Sequence, residues 1–247
     1  MDVKLISDTL EDNDRLRALA DGGIPADAKV IFRARNTVAI SADGRACIKS
    51  YKVPGFIKGI IYGFFRTPKA ERAFNNATRL LSLGFTTPEP YGAALCTSKG
   101  LLKQSYFVCR YFADWDDLRK IETLPEFPEI AKSLASFMFE LHSKGVWMKD
   151  FSMGNVLYRS RGGAYEFCMI DINRMEFDVH DRSKLLRNFG AALDTVEGTR
   201  TLAREYAALA SPTDPEPLAE EIVEIFVKHQ AAIWRRRRFK DFIRRKK

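Results

Sequence analysis

The sequence predicts an α+β protein of two lobes: a small antiparallel sheet with one helix in front, and a helical lobe behind. Three observations lead there. Strand-type runs crowd the first 110 residues, helical periodicity dominates from about residue 128, and no repeat, low-complexity tract or Gly/Ser linker lies between them. A chain of 247 residues that is 46% apolar can bury a sizeable core, which argues against disorder.

Lys29 to Ile40 (KVIFRARNTVAI) and Ala46 to Tyr51 (ACIKSY) are rich in β-branched and aromatic residues, and the Asp43-Gly44 turn between them signals a hairpin. Pro68 then opens a helix in which Ala70, Phe74, Ala77, Leu80 and Leu81 recur at helical spacing until Gly84. Tyr91 to Cys96 and Ser105 to Phe112 complete the sheet. A helix from Pro128 to Gly145 follows, with Ile130, Leu134, Phe137, Met138 and Leu141 on one face. Two short extended pieces, Asn155 to Tyr158 and Tyr165 to Ile172, join at Gly162-Gly163, and the remainder from about Asp181 is helical with a break over residues 211 to 217. The expected division is a front lobe at 1–110, a helical lobe at 111–234 and a basic tail at 235–247, with a cleft between the lobes.

The net charge of +8 is confined to that tail. RRRRFKDFIRRKK, Arg235 to Lys247, holds nine basic residues and one acidic one, while the rest of the chain balances at 31 of each sign. Such a tail fits an anionic membrane surface, at about 1 kcal/mol per basic residue before screening, better than nucleic acid bound without sequence preference; a solvated helix end is the other alternative. Trp234 beside the arginines suits a membrane interface, as does the apolar run FIKGIIYGFF at 56–65 if it is exposed; packing against a core is the commoner use of such a run. No run reaches the roughly 18 apolar residues of a membrane span, and the start lacks the order of a signal peptide, so a cytoplasmic protein, peripheral on the inner membrane, is expected. Cys47, Cys96, Cys109 and Cys168 are widely spaced and are expected to be reduced; with His142, His180 and His229 they make no zinc pattern.

The chemistry concentrates in LHSKGVWMKDFSMGNVLY, residues 141–158, and AYEFCMIDINRM, residues 164–175. Asp150 precedes Asn155 by five positions in a loop leading into a strand, and the next strand ends in Asp171. Phosphoryl transfer uses this order: one carboxylate orients the acceptor hydroxyl and takes its proton, while an Asn carbonyl and a second carboxylate hold Mg²⁺ against nucleotide phosphates. Upstream, Lys49 in Ala46-Cys47-Ile48-Lys49 is close to the V-A-I-K form of a phosphate-binding lysine, with Lys52 as a competitor, and Glu71 sits in the first turn of the next helix as its expected partner. No G-x-G-x-x-G is present; Arg35 and Asn36, or backbone amides nearby, stand in its place.

These segments resemble the protein-kinase-like catalytic loop and metal-binding strand, with Met148 and Lys149 where His and Arg are usual and Asp171-Ile172-Asn173 where D-F-G is usual. More specifically, RNTVAI, the stretch 65–92, LHSKGV with its loop, and IDINRM are similar to the lipopolysaccharide kinase family that phosphorylates Kdo or heptose. The resemblance implies a two-lobed kinase using ATP and Mg²⁺ on a sugar or glycolipid acceptor, with Asp150 and Lys49 catalytic, Lys49, Glu71, Asn155 and Asp171 binding the nucleotide, and Asn155 and Asp171 holding the metal. Only about ten residues separate Asp171 from the next helix and no A-P-E occurs, which disfavours a peptide acceptor; Arg174 and Arg182 are candidates to meet an acidic one. Two alternatives stay open: a non-catalytic membrane-associated pseudokinase scaffold, and a kinase for another small molecule or a protein.

Overall fold

A computed structural model describes residues 2–51 and 66–245. The chain divides into two compact units, Met1–Ala113 with Asp171–Arg174, and Asp114–Ile170 with Met175–Lys247. The run at 56–65 and Lys52 lie outside the described residues.

The first unit is built on a six-stranded antiparallel sheet with the order β1-β5-β6-β4-β3-β2. Its strands are β1 (Asp2–Ile6), β2 (Lys29–Arg33), β3 (Asn36–Ile40), β4 (Ala46–Tyr51), β5 (Pro90–Ser98) and β6 (Leu101–Arg110). The run from Lys29 to Ile40 is two strands: Arg33 pairs with Thr37, and the Ala34 N–H donates to the Asn36 carbonyl at 3.1 Å, so the chain reverses where a glycine-rich loop was sought. The turn at Asp43-Gly44 forms as expected, with Gly44 at φ +71°.

Among the described residues this unit carries two helices, where one was expected. Between β1 and β2 lies α1 (Leu10–Gly22), started by the Thr9 hydroxyl, which accepts from the Asp12 N–H at 3.1 Å, and ended at Gly23, φ +78°. Leu16, Leu19 and Ala20 are its buried face, packed with Ala46, Ile48, Ala94, Cys96, Tyr106 and Val108. Each of the two leucines contributes about 1.5–3 kcal/mol by leaving water. The second helix, α2 (Lys69–Ser82), buries Ala70, Ala73, Phe74, Ala77 and Leu80, the periodic face expected from sequence.

In the second unit, α3 (Phe127–Ser143) buries Ile130, Ala131, Leu134, Ala135, Met138 and Leu141 and stops before Gly145, φ +66°. Strands β7 (Asp116–Asp117), β9 (Val156–Arg161) and β10 (Ala164–Met169) form a three-stranded sheet, the last two joined through Gly162 and Gly163, both at positive φ. A two-stranded ribbon pairs β8 (Trp147–Met148) with β11 (Met175–Glu176). Three helices close the unit: α4 (Arg182–Leu186), α5 (Val196–Ala210) and α6 (Glu216–Arg245). The last of these runs unbroken past residue 234, where a separate tail was expected to begin.

Candidate active site

Strand alternation decides which way Lys49 points. Ala46 and Ile48 enter the core under α1, so Cys47, Lys49 and Tyr51 take the opposite face. There Lys49 Nζ donates to Asp171 Oδ1 in an ion pair across 122 positions of sequence; the lysine side chain is 16% exposed and the aspartate 36%. Asp171 has φ +55°, a left-handed conformation that is uncommon for a non-glycine residue and that aspartate tolerates better than most. Two amides fix the segment around it. Asn173 Nδ2 donates to Asp171 Oδ1 at 2.6 Å, and Asn76 Nδ2 of α2 donates to the Ile172 carbonyl at 2.7 Å.

Glu71 is placed differently from the expectation. Its Oε1 accepts from Lys4 Nζ of β1 at 2.8 Å, so the ammonium it neutralises is Lys4 and the carboxylate that neutralises Lys49 is Asp171. The N-terminal strand, which the sequence reading did not resolve, supplies this competitor.

In the second unit, the loop after β8 is folded by its own backbone. The Phe151 N–H donates to the Met148 carbonyl at 3.2 Å and the Asn155 N–H to the Ser152 carbonyl at 2.9 Å. Asn155 Nδ2 donates to the backbone carbonyl of Asp150 at 2.8 Å, tying together the two residues singled out by their spacing. That bond engages the amide nitrogen and leaves Oδ1 as the acceptor a hard cation requires. The Ile170 N–H donates to the Asn155 carbonyl at 2.9 Å, which anchors the loop to the residue just before Asp171.

A buried polar chain supports this loop, and the sequence reading overlooked it. His142, near the end of α3, is 6% exposed; Nδ1 lies 2.9 Å from the Tyr206 hydroxyl and Nε2 3.2 Å from Asn188 Oδ1. Asn188 Nδ2 in turn donates to the Met148 carbonyl at 2.6 Å. Met148, which replaces the usual histidine, is therefore held through its backbone, while its side chain is buried. Burial pulls His142 down to about 4, and the bond to Asn188 opposes that only in part, so the ring is neutral near pH 7. The one signal in the sequence was a histidine one residue after a core leucine at the end of an amphipathic helix. Of the two arginines considered for an acidic acceptor, Arg182 is paired with Glu221 of α6 and Arg174 is exposed.

Within the first unit, a carboxylate in a constrained backbone with a partly buried lysine on it is a pair suited to a hard divalent ion and a polyphosphate. No group of three His, Cys, Asp or Glu side chains that could hold a metal alone occurs among the described residues.

The model of the lipopolysaccharide kinase (Kdo/WaaP) family matches residues 43–206, more than half of the chain and all five candidate residues. The chain belongs to this family. It is accordingly a kinase, a phosphotransferase whose acceptor is an alcohol group of a sugar. No curated protein matches its sequence. Among solved structures it is similar to WaaP in complex with acyl carrier protein, at 14% identity and a TM-score of 0.60 over 90% of this chain and 99% of the other. That likeness shows the protein-kinase-like fold. Further matches are the Rio2 kinase–ADP/Mg²⁺–phosphoaspartate complex from Chaetomium thermophilum (16% identity, TM-score 0.45, 88% of this chain and 75% of the other) and the bifunctional kinase-methyltransferase WbdD (13%, 0.46, 80% and 43%).

Proposed function

We propose that this kinase transfers the terminal phosphoryl group of ATP to a hydroxyl of the lipopolysaccharide core or a related glycolipid, with Asp150 as base. The observation that carries the reading is the Lys49–Asp171 pair: a strand lysine and an aspartate in a left-handed backbone conformation, 122 positions apart in sequence, are held together. Asp150 accepts the acceptor proton as the new O–P bond forms and the bond to the bridging oxygen of ADP breaks. Lys49 binds the phosphates, and Asn155 Oδ1 with the Asp171 carboxylate would hold Mg²⁺. The metal, when bound, neutralises charge on the phosphate oxygens. Glu71 enters as a nucleotide-side residue only if it exchanges Lys4 for Lys49 when nucleotide binds. The basic end of α6 is the membrane-facing part of the proposal: Trp234 and Phe239 are exposed, and the Arg238 guanidinium stacks over the Trp234 ring at 4.6 Å. No helix among the described residues is long and apolar enough to cross a membrane.

The test is transfer from labelled Mg-ATP to isolated lipopolysaccharide and to its delipidated core. Incorporation into either supports the reading, and the ratio of the two reports whether lipid is needed. Transfer to neither acceptor, with ATP bound, rejects this acceptor class; failure to bind ATP favours the non-catalytic scaffold.

A further inference from the structure

Lys69 occupies the first position of α2, where a cation is disfavoured by the positive end of the helix dipole. Pro68 precedes it as N-cap and offers no side-chain acceptor to the first-turn N–H groups. The Lys69 ammonium lies 5.8 Å from the centroid of the Tyr51 ring, and the Lys49 ammonium lies 5.5 Å from the same centroid. The two lysines thus share one buried aromatic residue. Their circumstances differ in one respect: Lys49 is paired with Asp171, whereas no carboxylate among the described residues forms an ion pair with Lys69.

The surrounding charge is mostly of the same sign. Burial lowers the Lys69 pKa first, then the charge of Arg35 in the β2–β3 turn; Asp171 works the other way, and Arg72 and Lys49 add to the lowering. Gathering cations about one carboxylate costs free energy in the empty protein, and an anion would offset that cost. Arg35 also stands where the chain reverses between β2 and β3, the position at which related kinases carry a glycine-rich loop whose backbone covers the phosphates.

We propose that Lys69 and Arg35 form a second phosphate clamp beside Lys49, binding the polyphosphate of the nucleotide with side-chain cations in place of a glycine-rich loop. The inference rests on the ATP-dependent reading above and names how this chain meets the phosphates. Lys69 is then a binding residue that contacts a non-transferred or terminal phosphate oxygen, and Arg35 closes on the same group from the turn.

The experiment is calorimetric titration of the full chain with Mg-ATP and, separately, with inorganic tripolyphosphate, for the native protein, Lys69→Gln, Lys69→Arg and Lys69→Gln/Arg35→Gln. Lys69→Gln is expected to weaken both ligands at least about tenfold, the scale of one charge-assisted bond to phosphate, Lys69→Arg to restore most of the loss, and the double variant to weaken both further. The unliganded Lys69→Gln protein is expected to melt at the native temperature or above it, since it relieves repulsion; a lysine with only a structural role would do the reverse. Native-like affinity of the double variant for both ligands overturns the clamp and leaves the ATP reading intact. Native binding of tripolyphosphate without ATP keeps the clamp and rejects the nucleotide reading, and binding of neither rejects both.

Discussion

A neutral imidazole and a reactive thiol make the sharpest residue-scale predictions. His142 is neutral in the folded protein down to about pH 4 but titrates near 6.5 when unfolded. Between those values the unfolded chain binds the extra proton, so stability falls as the pH is lowered from about 6.5 to about 4, by up to about 3 kcal/mol from this residue. Chemical denaturation of native protein and His142→Gln across that window should show a steeper loss for the native chain; parallel curves would contradict the buried neutral ring. Cys47, half-buried beside Lys49 on β4, has its thiol pKa lowered chiefly by a hydrogen bond from Cys109, its cross-strand partner, with burial opposing and the Lys49 charge assisting. The other three cysteines are buried free thiols. Ellman titration should find one fast thiol, slowed by Mg-ATP and absent in Cys47→Ala. A fast thiol that ATP leaves untouched would separate this face of β4 from the nucleotide. Asp150, Asn155 and Asp171 could be nominated from spacing, because a loop between a helix and a strand fixes short intervals, and Lys49 from its likeness to the V-A-I-K form. The partner of Glu71 could not, because Lys4 reaches it through a strand added at the far edge of the sheet.

At the scale of elements, the β1–α1 segment is the part the sequence concealed. Its helix shows only three buried residues among many charges, too narrow a stripe to separate from a polar surface segment, and β1 is a five-residue edge strand. The helices α2 and α3 were legible because their buried faces repeat over three turns or more. The β1–α1 segment is nonetheless integral. A Cβ placed on Gly92 of β5 would lie 2.6 Å from the Ile6 carbonyl oxygen and 2.6 Å from Leu16 Cδ1. Gly92→Ala should therefore cost about 1–3 kcal/mol by forcing β1 or α1 outward, read as a lowered unfolding midpoint. An unchanged midpoint would mean that β1 and α1 are loosely attached and that Lys4 is not a fixed competitor for Glu71.

For the molecule as a whole, charge and fold divide the work: a balanced body carries the kinase, and the end of α6 carries the excess of basic residues. The fold class was readable because strand-like and helical periodicity separate along the chain, while the true reach of α6 was not, since a run of arginines is equally at home in a helix and in a loose tail. Removing residues 235–247 should abolish binding to anionic vesicles and leave turnover on a water-soluble acceptor unchanged; equal vesicle binding by both forms would contradict a membrane role for this end.

The most direct test of the account is a single-turnover transfer of labelled phosphate from Mg-ATP to delipidated lipopolysaccharide core by the native chain, Asp150→Asn and Asp171→Asn, with ATP affinity measured in parallel. The account predicts transfer by the native chain, a loss of about 10²- to 10⁴-fold in Asp150→Asn with ATP affinity retained, and loss of both transfer and Mg-dependent ATP affinity in Asp171→Asn. Undiminished transfer by Asp150→Asn would contradict it.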